Sequence, residues 1–95
     1  MSTVNISYKP EKSEEYVWNW IDENLEKMVA KKVPTEDIKL LLDRTREVVE
    51  FKGKTIKGLM TFKNGEINIS IDIPLLYRMF GQTIRTSILD ILKSM

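Results

Sequence analysis

The strongest constraint on the fold is the dipeptide Asn64-Gly65, which lies between two runs of alternating apolar and polar residues. A type I′ hairpin turn needs positive φ at both central residues, and asparagine and glycine tolerate this best. A two-residue loop there pairs Phe62 with Ile67 and fixes the register of both strands. One face of the hairpin then carries eight residues, of which all but the glycine are apolar: Ile56, Gly58, Met60, Phe62, Ile67, Ile69, Ile71 and Ile73.

A second turn is predicted at Gly53-Lys54, because glycine in the first central position is typical of a type II′ turn. This turn pairs Phe51 with Ile56 and extends the apolar face into a third strand. Gly58 faces the core in the middle of a strand, where glycine usually marks the close approach of another element. We therefore expect a helix to cross the sheet at Gly58.

Residues 35–49 fit two interpretations. Thr35-Glu36-Asp37 is typical of a helix cap, and several of the following apolar residues have helical spacing. The alternation of Ile38, Leu40 and Leu42 favours a strand, which returns through a loop at residues 43–46. We favour the strand, because without it the meander begins with an isolated edge.

Two helices and one further strand complete the predicted fold. Residues 3–8 alternate with Val4 and Ile6 inward, and Ser13 is the predicted N-cap of a helix that Pro34 ends. Pro74 is predicted as the first residue of a second helix. The apolar stripe of that helix has seven members, Leu76, Phe80, Ile84, Ile88, Ile91, Leu92 and Met95, and is broadened by Leu75, Met79 and Leu89. The fold class is therefore α+β: an antiparallel β-meander with two helices packed on one face, in the order β-α-β-β-β-β-α, with residues 1–95 as a single domain.

Composition limits the chemistry more than it suggests it. The chain has 95 residues, 15 basic and 14 acidic, and it contains neither histidine nor cysteine. Disulfides, thiol nucleophiles, imidazole bases and the usual zinc sets are excluded, and no metal or cofactor is predicted. With a net charge of +1 and no basic stripe bearing stacking aromatics, no nucleic-acid binding is expected. The absence of a signal pattern and of a long apolar run predicts a cytoplasmic protein that is not an integral membrane protein.

The meander resembles a known family in its specific positions. The matching stretches are Phe51-Lys52-Gly53-Lys54-Thr55-Ile56-Lys57-Gly58, then residues 67–76 from Ile67 to Leu76, and Phe80. They are similar to the polyhydroxyalkanoic acid system proteins, a small bacterial family. The resemblance implies association with storage-polyester granules. It also implies a reduced helix-grip architecture of the START-like type, which elsewhere encloses apolar ligands. Many relatives have a histidine after the first strand, where this chain has Tyr8-Lys9-Pro10, so no role of that imidazole carries over.

Three apolar residues are predicted on the sheet face turned away from the helices. Leu41, Val48 and Leu59 align across three strands in the predicted register, among lysine, threonine and glutamate side chains. An aligned apolar stripe on a polar face is typical of an interface. We therefore predict a homodimer or partner contact there, although scattered surface hydrophobic residues are common.

A second hypothesis places an acyl-type apolar ligand between the sheet and the helices. Its predicted lining consists of six residues: Tyr8, Trp18, Trp20, Met60, Phe62 and Met79. A filled core is the alternative, because protein interiors are close-packed. The C-terminal helix likewise either covers the core or lies on a granule or lipid surface.

No catalytic site is predicted. Acidic pairs such as Glu14-Glu15 are adjacent in sequence, so they do not converge on one helix face. No nucleophile, base and orienting group can be assembled, and we do not expect an enzyme. The sequence therefore predicts a non-catalytic binding module that acts through apolar contacts with a granule, a lipid or a protein partner. The alternative is a small carrier of an acyl-type ligand.

Overall fold

The computed structural model describes residues 2–33 and 36–95, apart from the side chains of Ser2, Leu76 and Tyr77. Five strands are described: β1 Ser2–Tyr8, β2 Lys39–Asp43, β3 Val48–Lys52, β4 Lys57–Lys63 and β5 Glu66–Ile73. They form an antiparallel sheet in the order β1-β5-β4-β3-β2. The first strand thus lies at one edge beside the last, and the predicted α+β class is confirmed.

The β4–β5 hairpin has the predicted turn and register. Asn64 and Gly65 have φ values of 54° and 75°, as a type I′ turn requires. Phe62 pairs with Ile67, and every second residue of β5 from Ile67 onward is buried. The apolar face of this hairpin therefore forms the centre of the core.

The predicted two-residue turn at Gly53-Lys54 is wrong. Phe51 pairs with Gly58 rather than with Ile56, so four residues connect β3 to β4. The Gly53 amide donates to the Ile56 carbonyl over 2.8 Å. Because the shift is two residues, each side chain keeps its predicted face.

The strand interpretation of residues 38–43 is confirmed, but the return loop is shifted. The Asp43 carboxylate accepts the Arg46 amide at 3.1 Å, and Glu47 has a φ of 61°. The turn therefore runs over residues 44–47, and Leu42 pairs with Val49. Asp43 ends the strand rather than beginning the loop, because its side chain stabilises the turn that follows.

The first helix is a continuous rod of three parts. These are α1 Glu14–Trp20, a π-helical turn Ile21–Leu25 and α2 Glu26–Lys32. The predicted cap is confirmed, because the Ser13 hydroxyl accepts the Tyr16 amide at 3.1 Å. The rod runs beside the edge strand β2, where the Glu26 carboxylate accepts the Leu40 amide at 3.0 Å. Pro34, predicted to end the helix, lies outside the described residues.

The second helix begins later than predicted. Pro74 is extended, with a ψ of 149°, and Leu75–Phe80 form a 3₁₀ helix before α3, Gly81–Lys93. A 3₁₀ helix has three residues per turn, so the apolar stripe counted at 3.6 does not continue through it. In α3 the stripe holds, and Ile84, Ile88, Ile91 and Leu92 are buried. The side chain of Leu76, predicted to begin the stripe, lies outside those described.

The expected helix crossing at Gly58 is also wrong. A Cβ there would lie 3.0 Å from the Ser70 carbonyl oxygen and 3.1 Å from Cγ1 of Ile71. The close neighbour is therefore the adjacent strand β5. By contrast, Gly81 lies against β1, since its Cβ would contact Val4 at 3.5 Å.

Candidate interaction surfaces

The outer face of the sheet, which lies opposite the helices, carries residues in regular rows. One row runs across the five strands through Asn5, Ser70, Leu59, Glu50 and Leu41. Leu41, Val48 and Leu59 share this face as predicted, but Val48 belongs to the next row, opposite Asp43 and Thr61. The predicted alignment of the three is wrong, because the β2–β3 and β3–β4 hairpins are each shifted by two residues.

The outer face is therefore less continuous in its apolar character than predicted. Leu41 and Leu59 are 50% and 45% exposed. Glu50 lies between them, with its carboxylate 3.7 Å from the Lys52 ammonium group. Two half-exposed leucines separated by a charged side chain offer a mixed surface.

The structure does not bring the six predicted pocket residues together around one cavity. Trp18 and Phe62 pack edge to face with ring centroids 6.2 Å apart, and Met60 is fully buried. Tyr8 and Trp20 are half-buried against the core. Met79 points to solvent, with 80% of its surface exposed. Its assignment to an interior pocket is wrong, because the 3₁₀ helix turns it away from the sheet.

Among the side chains that the structure describes, the most exposed large apolar ones lie in a segment that the sequence pattern assigned to the core. Leu75, Met79 and Phe80 are 65%, 80% and 45% exposed. We call Leu75–Phe80 the apolar segment. It lies between buried Ile73 and the buried stripe of α3, which starts at Ile84. The signal that could have identified it is Pro74, which delays the start of the α-helix.

A row of like charges lies at one end of the outer face. Lys57 pairs with Lys52, and Lys52 pairs with Lys39, so three lysines stand side by side on adjacent strands. We call Lys39, Lys52 and Lys57 the lysine row. Like charges directly opposite each other destabilise a sheet. Beside the row, an open depression of about 540 Å³ reaches across to Leu59, Ser70 and Asp72.

Glu36 stabilises the loop at this same end. Its carboxylate accepts the Ile56 amide at 2.7 Å, and the Thr55 amide and hydroxyl at 3.0 and 2.8 Å. Partial burial raises the pKa of Glu36, but these hydrogen bonds and the charge of Lys54 lower it by more. The pKa therefore lies below its ordinary value of 4.5. Gly53 packs against this carboxylate, where a Cβ would collide with it.

The described residues contain no group of three or more acidic side chains that could hold a metal ion. Among the described helices, none combines the length and the apolar character that crossing a bilayer requires. No protein-family model, no curated protein and no solved structure matches this chain.

Proposed function

We propose that the protein is a non-catalytic binding module that docks on an apolar surface through the apolar segment. The observation that supports this is the exposure of Leu75 and Met79, at 65% and 80%. Isolated surface hydrophobic residues are common. Here three exposed apolar side chains, those of Leu75, Met79 and Phe80, belong to one short element, and such a concentration is typical of a contact site.

The apolar segment is held in place at both ends. Ile73 is fully buried in the last strand, and Ile84 anchors the first turns of α3. The six residues Leu75–Phe80 form one 3₁₀ helix between them, so little conformational entropy is lost when the segment docks. Burying a leucine or methionine side chain contributes about 1.5–3 kcal/mol. Two or three such residues are sufficient for reversible docking, which favours a surface with many sites over one tight ligand.

The resemblance to the storage-polyester proteins suggests the first surface to test. We expect the protein to co-sediment with polyhydroxyalkanoate particles, and Met79→Asp to weaken this binding about tenfold or more, because a carboxylate replaces the most exposed apolar group. Tyr16→Asp is the matched control, since Tyr16 is a partly exposed apolar residue on α1 and belongs to neither proposed contact surface. Thermal unfolding of each variant checks that the fold is retained.

Two outcomes contradict this function. If Met79→Asp and Tyr16→Asp bind the particles equally well, the apolar segment is not the docking site. If the wild-type chain stays in the supernatant with every apolar particle tested, docking on an apolar surface is itself wrong.

The homodimer is retained as a second proposal. It is supported by Leu41 and Leu59, which are half-exposed on a face that no other described element covers. The apolar segment follows the end of β5, so it is not part of the face that would form the dimer interface. The two proposals are therefore compatible.

A further inference from the structure

We propose that the surface bound by this protein is an anionic phospholipid layer, docked at the end of the sheet that carries the lysine row. Leu75 and Met79 enter the acyl region there, and the surrounding lysines contact the headgroup phosphates. This inference rests on the proposed function, because it names the chemistry of the surface that the apolar segment meets.

Topology places the apolar segment and the lysine row at the same end of the sheet. The row across the strands at that end runs through Thr3, Asp72, Lys57, Lys52 and Lys39. β5 ends one residue after Asp72, and the apolar segment begins two residues later. The segment therefore begins at the end of the sheet where the three lysines stand.

The rod and the loops add further positive charge to this end. The rod runs antiparallel to β2, since Asn19 bonds Arg44 while Glu26 bonds Leu40. The last turn of α2 thus lies close to the start of β2. Seven cationic residues belong to this end: Lys31, Lys32, Lys39, Lys52, Lys54, Lys57 and Arg78.

Five acidic residues lie beside these seven cations, and four of them have partners. Glu26 accepts the Leu40 amide, and the Glu50 carboxylate lies 3.7 Å from the Lys52 ammonium group. Glu36 is occupied by the Thr55 and Ile56 amides, and Asp72 accepts the Thr3 hydroxyl at 3.0 Å. Asp37 is the fifth acidic residue at this end. Since the whole chain carries a net charge of only +1, the excess of cations at this end is a local asymmetry.

Apolar side chains that lie at the same end of the sheet as a group of cations match an anionic lipid layer. The headgroups supply phosphate for the lysines, and the acyl chains accept leucine and methionine. A neutral polyester surface supplies no anion that adds to the counter-charges of Glu50 and Asp72 beside the lysine row. Nucleic acid supplies phosphate, but single strands are bound by stacking on aromatic faces. The two most exposed large apolar side chains described, Leu75 and Met79, are aliphatic.

The test is co-sedimentation with vesicles at low and at physiological ionic strength. Vesicles of phosphatidylcholine alone are compared with vesicles that also contain phosphatidylglycerol. We expect binding at least tenfold tighter to the anionic vesicles, with the difference shrinking as salt is added. Met79→Asp should reduce binding to the anionic vesicles about tenfold, because the segment no longer enters the acyl region.

The lysine row is tested by the triple variant Lys39→Gln, Lys52→Gln and Lys57→Gln. Each cation near an anionic surface adds about fivefold in affinity, so we expect a loss of about a hundredfold. The matched control removes three lysines from the opposite end: Lys9→Gln, Lys12→Gln and Lys63→Gln. It has the same net charge and should bind almost as well as the wild-type protein.

The outcomes separate this inference from the proposed function. Equal binding to neutral and anionic vesicles, or equal losses in the two triple variants, overturns the anionic-lipid inference. If polyester particles still bind in a Met79-dependent manner, the proposed function stands without it. If neither particles nor vesicles bind, both are overturned.

Discussion

Glu36 shows how a single side chain can set the length of a loop. Its carboxylate accepts hydrogen bonds from the Thr55 amide, the Thr55 hydroxyl and the Ile56 amide. These bonds satisfy the backbone donors of a four-residue loop, so a two-residue turn is not required. The sequence at Gly53-Lys54 is compatible with a tight turn, and nothing local reveals an acceptor seventeen residues upstream of Gly53. This is why the β3–β4 register was predicted incorrectly, although the faces were right.

The lowered pKa of Glu36 predicts a pH-dependent contribution to stability. Because the folded-state pKa lies below the ordinary value of 4.5, the contribution is complete above that value. It is lost as the pH falls through the lower folded-state pKa. Glu36→Gln should therefore be less stable than the wild-type protein at neutral pH, by about 1 kcal/mol, since the group is partly exposed.

The measurement is urea unfolding of both proteins over a pH range from neutral to acidic. The stability difference should narrow as the pH falls below 4.5. A difference that stays constant throughout this range would show that the charge of Glu36 is not what stabilises the loop.

Among the elements, the two hairpin-forming strands were the most predictable. Asn64-Gly65 selects one turn type, and the isoleucines of β5 tolerate no one-residue slip. The start of the C-terminal helix was the least predictable. Leu75 and Met79 are compatible with an amphipathic helix, and only the extended conformation of Pro74 and the 3₁₀ helix that follows turn them to solvent.

Alanine substitutions at Gly65, in the β4–β5 turn, and at Gly81, at the start of α3, should have opposite effects on stability. Gly65 has a φ of 75° with open space around it, so Gly65→Ala should destabilise the protein by about 1 kcal/mol through backbone strain alone. Gly81 has a φ of −56° and begins α3, so Gly81→Ala should stabilise by about 0.5 kcal/mol.

Thermal or urea unfolding measures the change in stability caused by each substitution. Each glycine acts as the control for the other, because both substitutions add one methyl group. Equal shifts in the same direction would mean that the difference in backbone conformation does not determine stability at these positions.

At the scale of the whole molecule, two layers leave one sheet face open. Sequence patterning predicted this arrangement correctly, because the apolar alternation of β4 and β5 and the stripe of α3 both require a common core. Sequence patterning could not predict which residues share a row on the outer face. A register shift of two residues leaves every side chain on its predicted face but gives it a different neighbour on the adjacent strand. Glu50 thus replaces Val48 between Leu41 and Leu59.

The proposed role of the outer face leads to a prediction about the oligomeric state of the protein. If this face forms the homodimer, Leu59→Glu should give a monomer, because two new carboxylates would meet close to Glu50 and its symmetry mate. Light scattering across a concentration series measures this. Thr61→Glu, in the next row of the same strand, is the control for added charge alone. A dimer that survives Leu59→Glu would remove the outer face as the interface.

The bond between Glu26 and the Leu40 amide has a consequence for behaviour at high concentration. An edge strand offers unpaired donors to any foreign strand, and fibrils grow by such pairing. In this protein, a carboxylate from α2 already occupies the Leu40 donor on the apolar strand Lys39–Asp43. A second chain would have to displace that carboxylate before it could pair with Leu40. The helical rod that covers the core therefore also hinders fibril formation along the edge strand β2.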